Sequence, residues 1–452
     1  MQSAAMAEAR LRGAPVYPVL DVVWDVRGYT PAARGVYSPS ARDTGIGHVT
    51  AVTRPGGWGE IVYGSGVRKG KLDAVTTEVS ISDIDRTLID MLETYDPRGS
   101  AANISWASPG LVEADWEPLF RGIVSDWTRE GLYTTLELKT DDTVLRTIVP
   151  SAIFSRTEWA STFDGTIFGT NMPLVMGIHD AFLLTARGMV PAVNIRYDKD
   201  IGYWWLASLG NLVDIRRVYY DGDAQDASGW TIRRGVWGAN NMTIIEVLPG
   251  YQPDEGVVVC FDCEGPDADG LAVGASLTSP AQILRTVLEE YVYRDPPLGA
   301  WRGDASIIDD TSWDATIAYF TARGFDCGRR FGGSQDAKSA AEVIQSFLDS
   351  YPYTRIWWTP LGKLSLGVMD PDDVDPDATR WLELDKHHEG GQVPFAPGDQ
   401  REVYTHVKQP YMWSAADQKF ESAYEAHDVA ALPEKVTLNV DNPWTQARFN
   451  NE

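Results

Sequence analysis

The chain has 452 residues, room for about three domains, and its 44% apolar and 23% charged content is ordinary globular usage, which excludes wholesale disorder and collagen-like repeats. Its 39 basic against 64 acidic side chains leave a formal charge of −25, a field that repels phosphates and disfavours a sequence-reading or wrapping nucleic-acid binder. No run approaches 18 consecutive apolar residues, and the opening MQSAAMAEARLRG lacks the apolar centre of a secretory signal, so neither a membrane span nor a leader is expected.

In chain order, residues 1–150 read as a β-rich domain. Pro18 to Val26 and Ala74 to Ile81 alternate apolar and polar residues, the pattern of a half-buried strand. Phe120 to Trp127 and Leu132 to Leu138 repeat it across a short Gly-containing link, which predicts a hairpin. Ile84, Leu88, Met91, Leu92 and Tyr95 recur at helical spacing, with Ser82 as N-cap and Asp85 three residues on. Residues 151–275 predict a β-rich inserted domain, with strands such as Val213 to Tyr220 and Met242 to Val247. Turns are expected at Asp221-Gly222, Ser228-Gly229 and Pro249-Gly250. Residues 276–370 predict an α+β domain. One helix follows Ser279-Pro280 with Gln282 completing a capping box; a second spans Thr311 to Ala322 with Gly324 as its C-terminal cap; a third spans Asp336 to Asp349. A hairpin from Thr354 to Trp358 and Leu364 to Met369 closes the domain. Residues 371–452 begin with the acidic linker Asp370 to Asp377 and continue into strands at Arg401 to Val407 and Lys435 to Val440. The fold class is therefore mainly β with an α+β insertion, and no solenoid or propeller period is present.

The residue types that carry chemistry assemble no site. Cys260 and Cys263 form a CxxC pair with Cys327 far off in sequence. A zinc site takes four ligands, and nothing in the sequence places the clustered His387 and His388 beside them, so the cysteines read as small buried hydrophobes. Three cysteines also point to a reducing site of synthesis. The aspartates 370, 372, 373, 375 and 377 fail as a calcium loop. Counted from Asp373, Ala378 stands where a glycine is required and Leu384 where a bidentate Glu is required. Gly64 to Lys71 is glycine-rich but matches neither phosphate-binding fingerprint, and Arg302-Gly303-Asp304 is too short to weigh. The six histidines include no HExxH, and no GxSxG is present. No catalytic, cofactor-binding or metal residue is assigned, and no catalysis is expected. A carboxylate pair for glycan hydrolysis needs only proximity in space, which a sequence does not display.

Two compositional biases stand out. There are 10 Lys against 29 Arg, which fits a GC-rich genome or a salty environment. The 17 Trp read mainly as core, with interface or sugar-stacking roles as the other use of that side chain.

One ordered series of segments does rise above this background. Phe120-Arg-Gly-Ile-Val-Ser-Asp-Trp127 is followed by Thr140 to Pro150, Asn171 to Gly177, Ser279 to Arg285, Ile308 to Trp313 and Arg323-Gly-Phe325. The helix at 336–349 and a Leu361-Gly362-Lys363-Leu364 hairpin complete it. The order resembles the tail-tip (baseplate hub) proteins of tailed, siphovirus-like bacteriophages and the related hubs of gene-transfer particles, over about residues 16 to 440. Two features depart from that family. Many such hubs continue into a fibre or lytic domain, whereas this sequence stops soon after Asn442-Pro443-Trp444, and the three cysteines do not match an iron–sulfur cluster. No receptor-binding tail and no cofactor are therefore expected.

The resemblance implies a virion structural role at the tail tip, after synthesis in the host cytoplasm. It implies a homotrimeric ring closing the tail tube, with two tube-like β-barrels per chain drawn from residues 1–150 and from the C-terminal region after the acidic linker. Residues 150–370 would decorate or plug them. The partners implied are other copies of the chain, the distal tail ring protein, the tail tube, and a tail fibre or other tip proteins. DNA would pass through the lumen without specific binding, and contact with the host surface would be indirect. Two other readings stand beside it: a receptor- or glycan-binding tail component using Trp204, Trp205, Trp357 and Trp358, and a tail-associated hydrolase using paired carboxylates. Strand alternation predicts that Trp357 and Trp358 split, one into the core and one outward.

Overall fold

The computed structural model describes the chain except residues 1–3, 25–32, 40–48, 52, 62–73, 83–85, 95, 156–166, 180–189, 199–201, 238–239, 255, 267–276, 296–299, 302–306, 326, 334–336, 352, 369–405, 415–418, 428–436 and 440–452. It falls into two compact units. The first comprises Met1–Arg146, Ala305–Asp310 and Ile356–Leu366, the second Thr147–Asp304, Thr311–Arg355 and Gly367–Glu452.

The first unit is built on eight strands: β1 (Tyr17–Trp24), β2 (Ala33–Ser38), β3 (Val49–Ala51), β4 (Thr53–Trp58), β5 (Thr76–Ser82), β6 (Ala101–Ala107), β7 (Glu117–Glu130) and β8 (Tyr133–Lys139). They pair in the order β3-β2-β1-β6-β7-β8-β5-β4. The two ends of that path are neighbours in the chain. Ala51 ends β3 and Thr53 begins β4, so the sheet edges can lie no more than about 7 Å apart there. The sheet must curl until its edges meet, which is how a barrel disposes of its edge strands. Alternation then sends one face inward. Leu20 opposes Ile104, Ile104 opposes Phe120, Val124 opposes Leu138, and Leu136 opposes Val79. All of these side chains are buried. Leu88, Ile89 and Leu92, spaced to share one face of the helix Thr87–Thr94, are buried too.

At one end of the barrel the outer face is covered as well. Tyr17, Val19, Val36, Ala107 and Trp116 form a separate apolar cluster with Leu111 packed against it. Met6 of the N-terminal helix Ala4–Leu11 is buried, and Arg10 of that helix donates to Glu117 at 2.6 Å.

The second unit holds a ten-stranded sheet. Its strands are β10 (Leu174–His179), β11 (Val190–Pro191), β12 (Val193–Asp198), β13 (Gly202–Leu209), β14 (Leu212–Tyr220), β15 (Asp223–Ala224), β16 (Trp230–Trp237), β17 (Asn240–Val247), β18 (Val259–Pro266) and β21 (Gly328–Phe331). Outside that sheet lie β9 (Ile148–Val149), β19 (Arg294–Asp295), β20 (Ala300–Trp301), β22 (Lys338–Ser339), and the C-terminal β25 (His406–Ser414), β26 (Lys419–His427) and β27 (Thr437–Asn439). The main path is β15-β14-β18-β10-β13-β17-β16, with β11, β12 and β21 attached. β10 pairs with β13, β18 and β21. Gly177 in β10 has φ +79°, and a Cβ there would lie 2.0 Å from the Cys327 carbonyl oxygen. Only glycine allows the chain at 327–328 to pass so close. Helices Pro280–Tyr291 and Ala340–Ser350 add their own apolar faces, and Phe320, Phe325, Phe347 and Tyr351 form a ring cluster with centroids 5.1 to 6.3 Å apart. The C-terminal strands form a three-stranded sheet in the order β26-β25-β27. The hairpin β23 (Thr354–Trp358) and β24 (Leu364–Val368) contributes Ile356–Leu366 to the first unit.

The mainly β architecture with helical insertions agrees with the sequence reading, but local details differ. Ser82 does not cap a helix: it ends β5, paired with Tyr133, and the helix starts at Thr87. Ser279 occupies the N-cap of Pro280–Tyr291, yet its side chain makes no cap hydrogen bond and no capping box forms with Gln282. The third helix starts at Ala340 rather than Asp336, because Lys338 and Ser339 pair with Val149 and Ile148 as a short ladder. Among the described residues the last strands are His406–Ser414, Lys419–His427 and Thr437–Asn439; residues 401–405, 435–436 and 440 of the expected strands lie outside the described residues. Among the described residues, no helix is long and apolar enough to cross a membrane.

Candidate functional site

The register of the barrel builds a cleft of about 400 Å³ on its outer face. Asn103 on β6 lies opposite Asp21 on β1 and opposite Arg121 on β7. The three outward side chains therefore form one row across three strands, with Ser105 in the next row. The walls come from two turns. One is the short 3₁₀ turn Glu113–Asp115 leading into Trp116; the other is Pro360-Leu361 of the β23–β24 hairpin. The hairpin turn also packs against the stem of Arg121: a Cβ on Gly362 would sit 3.3 Å from the Arg121 Cβ and Cγ.

Charge in the cleft is arranged unevenly. Arg34 donates to both carboxylate oxygens of Asp21, at 2.8 and 2.7 Å, and to Glu113 at 2.5 Å. Such forked pairing is the strong form of an arginine–carboxylate contact. The hydrogen bond to Asp21 is the main reason that Arg34 is held protonated further above its already high range. Both carboxylates of the cleft are therefore engaged. The donor side is open: among the described residues no carboxylate pairs with Arg121, and the Asn103 and Ser105 side chains have no internal partner.

The groups singled out in the sequence are dispersed. Cys260, Cys263 and Cys327 are all buried thiols, and burial pushes the Cys263 thiol well up. The histidine beside Cys263 in the ladder is His179, not His387 or His388, a proximity created by pairing between strands far apart in sequence. Among the described residues, no group of three or more His, Cys, Asp or Glu side chains could hold a metal ion. The acidic stretch Asp370 to Asp377, His387, His388, the glycine-rich stretch Gly64 to Lys71 and Arg302-Gly303-Asp304 lie outside the described residues.

Of the four tryptophans considered for glycan stacking, Trp205 and Trp358 are buried. Trp204 donates its indole N–H to Glu246 at 3.1 Å and lies beneath Arg233, so its ring is engaged. Trp357 is 41% exposed, and the inward Trp358 beside it matches the expected alternation. Sequence reasoning missed the cleft altogether, because its residues meet only through strand register.

No family model matches the chain, and no curated protein matches it. Among solved structures, a chain from the virion of the native gene transfer agent particle is similar, at 14% identity and a TM-score of 0.35, over 64% of this chain and 70% of that chain.

Proposed function

We propose that this chain is a virion structural protein: a tail-tip hub that closes the tail tube as a homotrimeric ring and forms part of the conduit for DNA ejection. The observation that carries the reading is the eight-stranded sheet of Tyr17–Lys139, whose edge strands are joined through a single residue. That is the region where the hub resemblance expects its first tube-like barrel. The barrel interior is filled by apolar side chains, so the DNA path of such a ring runs between subunits and not through a barrel.

Composition supports the same role. A surface carrying a net charge of −25 has little to hold phosphates during passage. One outward row of the barrel concentrates that charge: Glu137 on β8 lies opposite Glu78 on β5 and opposite Asp126 on β7, of which Asp126 is paired with Arg98 at 3.1 Å. Glu78 and Glu137 facing one another cost stability, a cost that suits a wall meant to stay clear of a polyanion. In this reading the neighbours are a distal tail ring protein, the tail tube and other tip proteins, and the chain performs no catalysis.

The test is imaging by negative stain together with sedimentation of the purified chain. The expected result is a threefold ring with a central opening and a mass three times that of the 49.9 kDa chain. A monomer that forms no ring alone or with tail-tube protein overturns the proposal.

A further inference from the structure

We infer that the outer-face cleft of the barrel is a docking site for a polypeptide segment that presents a carboxylate beside an apolar side chain. Three observations carry this. First, the polar groups of the cleft are asymmetric: its carboxylates, Asp21 and Glu113, are bonded to Arg34, while the Arg121 guanidinium, a donor only, faces the cleft without an internal partner among the described residues, beside the equally unpartnered Asn103 and Ser105. Opposite the Arg121 guanidinium a carboxylate is the best match, and Asn103 and Ser105 can donate to it as well. Second, the stem of Arg121 lies against the hairpin turn at Gly362, which keeps the base of that side chain at the cleft wall beside Pro360 and Leu361. Third, apolar side chains line the cleft beside this polar row: Val19, Trp116, Pro118 and Leu361, the last 46% exposed. A polypeptide can lay an apolar side chain against them while its carboxylate meets Arg121. A polyanion such as a nucleic acid would meet the field of a chain at −25, whereas one carboxylate at a local cation is screened from that field beyond about 8 Å at physiological salt.

This site is argued from the cleft alone and does not require a ring, so the two proposals can fail separately. The experiment uses the full chain, ¹⁵N-labelled on its tryptophan indoles. The probe is the capped peptide acetyl-Leu-Glu-Leu-amide, compared with its glutamine isostere. Trp116 lines the cleft, and its indole resonance, assigned through Trp116→Phe, is the reporter. The expected result is a saturable shift of that resonance by the glutamate peptide, with about tenfold weaker binding of the glutamine peptide. Arg121→Gln abolishes that preference, and Asn103→Ala weakens binding of both peptides. Because Arg121 is an exposed side chain on the outer face, its variant is expected to keep the thermal midpoint of the parent, which separates lost binding from lost folding. Equal binding of the two peptides, a preference that survives Arg121→Gln, or an equal shift with sodium acetate or a thymidine oligonucleotide overturns the inference.

Discussion

The two units bury their strands with opposite tolerance for charge. Among the described residues of the first unit, the buried polar side chains are all hydroxyls: Ser38, Thr77, Ser100, Ser108, Thr134, Thr140 and Ser365. The second unit buries hydroxyls too, but adds His179, Glu246, Asp262 and Arg329. A curled sheet explains the first case, because an inward side chain meets only other inward side chains and a charge there would find no water and few partners. In the broad sheet of the second unit, each buried acid sits beside a donor on a neighbouring strand. Tyr219 donates to Asp262 at 2.7 Å, and Arg233 and Trp204 converge on Glu246 at 2.5 to 3.1 Å. The barrel is specified by volume, and the second sheet is specified in part by polar pairing.

The sharpest way to break that comparison is Asp262→Ala. Asp262 is fully buried and accepts from Tyr219, so its loss removes a buried acceptor, leaves Tyr219 with Arg217 as its hydrogen-bonding neighbour, and is expected to cost about 3 kcal/mol. Urea unfolding measures it, with Asp262→Asn, which keeps an acceptor, costing less. A cost no larger than that of an outward acid such as Asp126, half-exposed on β7, would erase the distinction between the units.

A smaller effect follows from the same pair at high pH. Burial first, and then the hydrogen bond to Asp262, push Tyr219 up to about 12 from an ordinary value of 10. The folded state therefore holds the phenol proton over a range in which the unfolded chain has lost it. The associated stability is complete below about pH 10 and declines as pH rises from there through about 12, by roughly 2 kcal/mol. Unfolding compared at about pH 9 and about pH 11.5 reads the slope. Tyr219→Phe is expected to reduce it, the remainder coming from Tyr220, pushed up to about 12 by burial, and from Tyr291, which burial also raises. A slope unchanged by Tyr219→Phe would place the alkaline sensitivity elsewhere.

The same contrast explains how much of the structure was legible in the sequence. β5 and β8 could be read because one face of each is buried and the other is not, so apolar and polar residues alternate. β10 is buried almost throughout, and Leu174 to His179 carries no period to read. Capping motifs show a subtler limit. Ser279 with Gln282 has the letters of a capping box and does not form one, whereas Ser339 accepts from the Glu342 amide while Glu342 accepts from the Ser339 amide. Ser-Ala-Ala-Glu was there to be read at 339–342, but the helical pattern suggested an earlier start. Closure of the barrel at Ala51 and Thr53, and the row Asp21, Asn103, Arg121, depend on long-range register. Register is set by the whole sheet and leaves no local trace in the chain.

The smallest expected effect has the opposite sign and tests the barrel side of the comparison. Thr134 on β8 points inward, opposite Ile81, and is fully buried. Its hydroxyl has no hydrogen-bond partner among the described residues. An unsatisfied buried hydroxyl carries a desolvation cost that an isosteric methyl does not. Thr134→Val is therefore expected to leave stability unchanged or raise it by up to about 1 kcal/mol, read as a rise in the urea midpoint at constant slope. A loss instead would mean that the barrel interior, like the second sheet, relies on polar pairing, and the two units would then differ in shape but not in what holds them together.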